Sequence, residues 1–486
     1  MSLTSCCRPL AALALLTLAS TACAQTPTQI GRDPMGVLHT LETATDPRSV
    51  ALRHQIKAGP ADLARARAEL ARDGLSLDPA ALQRPLPPDD LNAAPLYTKL
   101  FRLLRDRPLN LPMYAQPLAG DHTYTPEQIA VVQKIYDSRP DVWALLHQAT
   151  DRPQCVWTRD WSKGFATLFP EFQQMREAAR LISTETFLLA ASGKYVEAVR
   201  NQARGLRVAE HAASDPILIS YLVGNACEAI TLNGMRGLLD QAGPDAAVAE
   251  AVHKALEPVR PRLSLRYALT GEIAVPTVAF GQMREGLKKG GLPGMAALLV
   301  NLNVVNSNDP VLKHLASGTP ADRRLAQDWL DESQAIILTR MRSLIAASDL
   351  TPAARRQAFA QDANQAASPP SVRTLLSDIA LPTFTKVEGN ETRRVTQEEV
   401  TLAGAAILAA RAKMGAFPES LPAPFPDPYT SRPLLYRREG ADGFVVYSAG
   451  PEGRYDGGKP GDKAPSGEVG FRYPVVRTPA PVEAAR

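Results

Sequence analysis

Through residues 90–367, apolar positions return every three or four residues, the spacing of helices that bury one face. From Glu171, in EFQQMREAARLISTETFLLAASGKY, a stripe of Ala178, Leu181, Ile182, Leu188 and Leu189 is broken only by the polar Glu185. Gly193 interrupts, and Tyr195, Val196, Val199, Ala203 and Leu206 start a second stripe. Asp215-Pro216 is predicted to open a third helix, with Leu218, Ile219, Leu222, Val223, Ala226 and Ile230 on its buried face. Proline suits a first helical turn, which has no intrahelical use for the N–H that proline lacks. Connections this short predict antiparallel hairpins. Residues 90–106 and 125–150 predict further amphipathic helices, the latter opening on a Thr125-Pro126-Glu127 cap. Residues 245–287 continue the helices, with breaks at Pro258 and Pro261.

The pattern changes after Ser368-Pro369-Pro370, which reads as a connection with a further helix before it. Val400, Ala403, Ile407, Ala410 and Met414 then form a narrow seam on one helix, ended by Gly415. Residues 434–438 and 444–448 predict two strands of a hairpin around a turn at 439–442. Val469, Phe471 and Tyr473 alternate, predicting a third strand. The expected organisation is therefore an export signal over 1–24, a linker with short helices over 25–89, an α-helical array over 90–367 and a small α+β module over 381–486.

The export signal rests on one arginine, an apolar run from Leu10 to Ala19 and small residues after it, too short a run to span a bilayer. Two processing routes fit. Ala22-Cys23-Ala24 satisfies an ordinary small-x-small cleavage site, and Ser20-Thr21-Ala22-Cys23 is similar to a bacterial lipobox with Cys23 as the lipidated residue. Residues 294–305, interrupted by asparagines, are also too short to cross a membrane. The expected location is thus periplasmic, secreted or anchored to a membrane through lipid at Cys23.

Charge and cysteine content narrow the chemistry further. A formal net charge of +4 over 486 residues, with no basic run interleaved with aromatics, argues against nucleic acid. Of five cysteines, Cys6, Cys7 and Cys23 fall in the signal region, leaving Cys155 and Cys227 either to form one bridge or to stand as two buried thiols. The seven histidines are scattered without ligand spacing, and no nucleophile elbow, phosphate loop or dinucleotide fingerprint occurs. Trp157, Asp160 and Trp161 in CVWTRDWSKGF form an aromatic-acid cluster, which suits either a pocket wall or a joint between helices. His147 and His211 fall on helix faces, where a hydrogen-bonded structural role is the commoner one.

Two resemblances add to this reading. Gly193, Tyr195 and Ala198 stand where a tetratricopeptide unit has its turn glycine, aromatic and small packing residue, so the array resembles that class over one unit. Such arrays leave a concave groove for a peptide or partner helix. The order of a helix, GAFPESLP, DPYTSRPLLYR and GFVVYSAGPEGRYDGG resembles the globular end of the type II secretion major pseudopilins, over about the last hundred residues. That family binds calcium in the acidic, glycine-rich loop after its strand, which implies Ca²⁺ held by Ser448, Glu452, Asp456 and Asp462 with backbone carbonyls. The competing reading is a solvated turn whose carboxylates are answered by Lys459 and Lys463. The chain departs from the family in placing the helix deep within it, after a different kind of signal, so polymerisation is not implied. The expected function is an exported envelope scaffold without catalysis, its groove holding a protein or peptide partner. The alternatives are a component associated with a secretion apparatus and an envelope hydrolase with dispersed catalytic residues.

Overall fold

The computed structural model of the chain describes residues 45, 47–112, 122–257, 263–301, 320–366, 376–377, 384–451, 469–475 and 478–479. Helices α1 (Pro47–Lys57), α2 (Gly59–Arg72), α3 (Ala94–Asp106), α4 (Pro126–Asp137) and α5 (Pro140–Asp151) lead into longer ones. These are α6 (Phe172–Ala191), α7 (Tyr195–Ala212), α8 (Leu218–Ala242), α9 (Ala246–Leu256), α10 (Leu265–Asn301) and α11 (Pro320–Ser348), followed by α12 (Pro352–Ala366) and α13 (Thr385–Met414). The chain is thus mainly α, with a small antiparallel sheet at the C-terminal end. In that sheet β2 (Leu435–Glu439), β3 (Gly443–Tyr447) and β4 (Gly470–Tyr473) lie in the order β2-β3-β4, with Tyr436 opposite Val446 and Val446 opposite Phe471. A short parallel pair, β1 (His122–Thr123) with β5 (Thr478–Pro479), ties the C-terminal end to the chain between α3 and α4.

Local chemistry explains most of the helix ends. Thr125 and Gln128 form a reciprocal capping box at the start of α4, satisfying two otherwise orphaned N–H groups. Gly193 turns α6 into α7 at φ 75°, and Gly415 stops α13 at φ 73° while its N–H bonds the Arg411 carbonyl. The start of α8 differs from expectation: the helix opens at Leu218, not at Asp215-Pro216. The preceding residues are held against α10, where a Cβ on Gly271 would come 1.8 Å from the Pro216 carbonyl oxygen. That contact, together with a hydrogen bond from Asp215 N–H to Ser220, keeps the stretch out of the helix. The breaks expected at Pro258 and Pro261 lie outside the described residues.

Burial is organised in three main apolar clusters. Helices α2, α10 and α11 share one around Trp329 and Phe280. Helices α3, α5, α6 and α7 share a second, which includes Tyr97 and Trp143. The third runs from Leu206, Leu238 and Val252 of the array to Val400 and Ile407 of α13 and on to Phe444, Val446 and Phe471 of the sheet. The compositional change near residue 370 is therefore not a break in packing: sheet and array bury one common core. Gly404 makes the fit close, since a Cβ there would meet the Phe471 ring at 2.3 Å. The seam on α13 ends one turn earlier than expected, with Met414 60% exposed. Arg411, rather than Met414, covers Phe417 at the end of that helix, its guanidinium carbon 5.2 Å from the ring centroid.

Candidate functional site

The expected calcium site divides sharply. Glu452, Asp456 and Asp462 lie outside the described residues, as does Cys23. Ser448 is fully buried, donating its hydroxyl to Asp427 at 2.8 Å and accepting from the Gly450 N–H at 3.0 Å. The Asp427 carboxylate also takes the N–H groups of Tyr429 and Ala449, at 2.9 and 3.0 Å. The two pieces that carry the pseudopilin resemblance, Asp427-Pro428 and the stretch from Ser448, are thus knotted together by hydrogen bonds. Donors from the protein thus surround the Asp427 carboxylate and bind Ser448 to it. Among the described residues no cluster of three His, Cys, Asp or Glu side chains could hold a metal.

In the aromatic-acid cluster the hub is Arg159, a residue the sequence reading passed over. Its side chain, 6% exposed, donates to Asp215 at 3.0 and 2.7 Å and to both oxygens of Glu171. The guanidinium carbon lies 4.7 Å from the Phe169 centroid, 5.7 Å from Trp157 and 5.9 Å from Phe172. Asp160 points outward to Ser162 and Lys163 instead. The cluster is a joint between the 155–172 segment and the α7–α8 turn. Trp157 and Arg159 stand in CVWTRDWSKGF, but Phe169, Glu171 and Phe172 follow it, and Asp215 is too far along the chain for spacing to reveal.

Glu185, the polar break in its stripe, accepts from Tyr136 at 2.8 Å and lies 2.7 Å from His147 Nε2. Burial would raise its carboxyl, but the bonds from His147 and Tyr136 hold it below the ordinary range. His211 is buried more deeply, with Nδ1 3.1 Å from the Tyr97 hydroxyl and Nε2 3.2 Å from the Arg152 carbonyl. A carbonyl only accepts, so Nε2 carries the proton and Nδ1 accepts from Tyr97. Burial, and then the nearby charge of Arg207, lower the His211 pKa from 6.5 to about 3. The unfolded chain takes up a proton near pH 6.5 that the folded chain refuses until about 3. Stability from this group is therefore complete above about pH 6.5 and is lost as pH falls, by up to about 1.4 kcal/mol per unit. Urea midpoints at pH 7 and 5 should show a smaller drop in His211→Gln than in the wild type. Cys155 and Cys227 are free, buried thiols in the same apolar cluster, not a bridge. Burial pushes the Cys227 thiol up to about 12.

A larger ionic cluster locks α13 onto the array. Arg394 donates to Glu391 at 2.8 and 3.0 Å and to Glu228 of α8 at 3.3 Å, with Glu398 at 3.6 Å. Tyr221 of α8 donates to the same Glu391. Beside them, Arg355 of α12 reaches Glu388 and Thr392. Burial would raise the Glu391 carboxyl, yet Arg394 holds it below its usual range.

All these charges close on one another inside the body. An open groove of about 610 Å³ lies between α2, α10 and α11. Arg67, Arg284, Lys288, Arg323 and Arg324 line it, against the single carboxylate of Glu285. Arg284 is bound to Asp331 behind it at 2.8 Å, while Glu285 is bound to Lys289 at 2.9 Å. Burial, and then repulsion from Arg67, lower the Arg284 pKa against the opposing pull of Asp331. The only sequence signals were two short basic doublets, Lys288-Lys289 and Arg323-Arg324, whose meeting with Arg67 is a tertiary event.

Comparison with known proteins adds no relative: no family model, no curated protein and no solved structure matches this chain.

Proposed function

We propose that the chain is an exported cell-envelope scaffold that binds a protein or peptide partner on its tetratricopeptide-like helical body and does no catalysis. The observation that carries this reading is the groove between α2, α10 and α11, where Arg67, Lys288, Arg323 and Arg324 line the opening while Arg284 is paired with Asp331 behind it. The Arg159, Glu185 and Arg394 clusters serve cohesion, since each joins segments distant along the chain. Concave surfaces between stacked helices are where such bodies take extended partners. The C-terminal module, similar in residue order to a pseudopilin head, adds a rigid second surface because it shares the core of the array.

Photocrosslinking in cells tests the reading. A photoreactive residue at Gln327 in the groove is expected to give one discrete protein adduct in the envelope fraction. The same residue at Glu250, on the exposed side of α9, is expected to give none. Absence of an adduct from Gln327, or recovery of the chain only in the cytoplasm, overturns the proposal.

A further inference from the structure

Resting on the scaffold reading, the geometry points to an acidic peptide segment as the occupant of this groove, its carboxylates held by Arg67, Lys288, Arg323 and Arg324. Charge complementarity comes first. Arg284 and Glu285 are each engaged with a neighbour, so the remaining lining charge is wholly positive. Three of those four cations are arginines, whose planar forks match carboxylates in a way that lysine cannot. Arg323 and Arg324 also stand near the start of α11, a helix of 29 residues, where the helix dipole disfavours cations. Two arginines there cost stability in the free chain, and a bound anion reverses that cost.

Shape and surroundings decide among anions. The groove is open and its cations come from three helices, so it suits a run of several carboxylates better than one small enclosed ion. No aromatic residue is among its lining residues, so bases would find no stacking platform. The apolar lining is Leu287, which is buried and offers nothing to a lipid surface. Residues 302–319 join α10 to α11 and are the nearest segment by sequence. They hold one acidic residue, Asp309, and one lysine, Lys313, and so supply no charge complement.

The test is fluorescence anisotropy with the full chain and a short labelled peptide alternating glutamate and serine, against a lysine–serine counterpart. The acidic peptide is expected to bind saturably, and more weakly as NaCl rises from about 50 to about 300 mM. The lysine peptide should not bind. Arg323→Glu with Arg324→Glu should weaken binding by about tenfold or more, since both reversed charges face the ligand. That variant should fold normally, because glutamate suits the start of a helix. Lys99→Glu with Arg102→Glu, on the exposed side of α3, should leave binding unchanged. Equal affinity for the Arg323/Arg324 variant overturns the inference, and so does displacement of the peptide by an equimolar amount of inorganic phosphate. If the peptide fails to bind while Gln327 still yields its protein adduct, the acidic ligand is wrong and the scaffold reading stands. If the adduct is also missing, both fall.

Discussion

Arg394→Ala is expected to lower the unfolding free energy by about 3–5 kcal/mol, the usual cost of breaking a buried ion pair from one side. The size follows from what remains. Arg394 is 3% exposed and answers Glu391, Glu228 and Glu398, which are themselves buried. Removing the guanidinium leaves three carboxylates in a poorly solvated site. They must then protonate, draw in water or push α8 and α13 apart. Arg394→Lys keeps the charge but loses the fork that spans Glu391 and Glu228 together, so its loss should be intermediate. Urea denaturation read by circular dichroism measures both variants. A shift for the alanine variant of under about 1 kcal/mol would show that the cluster is hydrated and that α13 is held mainly by its other contacts.

Arg159→Ala should be of similar size, about 3–5 kcal/mol, for a different mixture of reasons. Here one guanidinium pairs with Glu171 and Asp215 and also fills the space among Phe169, Trp157 and Phe172. The variant loses charge pairing and packing together, and the joint between the 155–172 segment and the α7–α8 turn loosens. Pairing it with Glu171→Gln separates the two contributions. The double variant should be less destabilised than the sum of the single changes, because the glutamine removes a carboxylate that Arg159→Ala leaves unpaired. Simple additivity would mean that packing around the aromatic rings carries the whole effect. Burial also raises the pKa of Asp215, against the opposing pull of Arg159. The Arg159→Ala defect should therefore be milder at low pH, where Asp215 takes up a proton more easily.

These clusters change what the break near residue 370 means. Were the C-terminal module merely tethered, it would melt apart from the array. The common core and the Arg394 cluster predict one cooperative transition that reports both, and the groove is then presented by a stiff body. A stiff presentation favours binding, because little ordering entropy is lost when a partner docks.

Much of the local architecture was legible in residue spacing. Periodic apolar positions placed α6, α7 and the body of α8, the Thr125 cap and Gly415 set two helix ends, and alternation at Val469, Phe471 and Tyr473 revealed a third strand. Each of these signals lies within one turn or one strand of the residues it organises, so spacing alone reports it. Glu185 was visible as an anomaly in its stripe, but its partners Tyr136 and His147 were not. Which distant residues meet emerges with the fold: Asp215 with Arg159, Glu228 with Arg394, Asp427 with Ser448, and Arg67 with Arg323 and Arg324. Such meetings depend on how helices stack, and periodicity determines which face of a helix is buried without saying which helix covers it. The same limit hid the groove. Arg67, Lys288, Arg323 and Arg324 are exposed on their own helices and break no local rule, and they become a site only when α2, α10 and α11 bring them to a common edge.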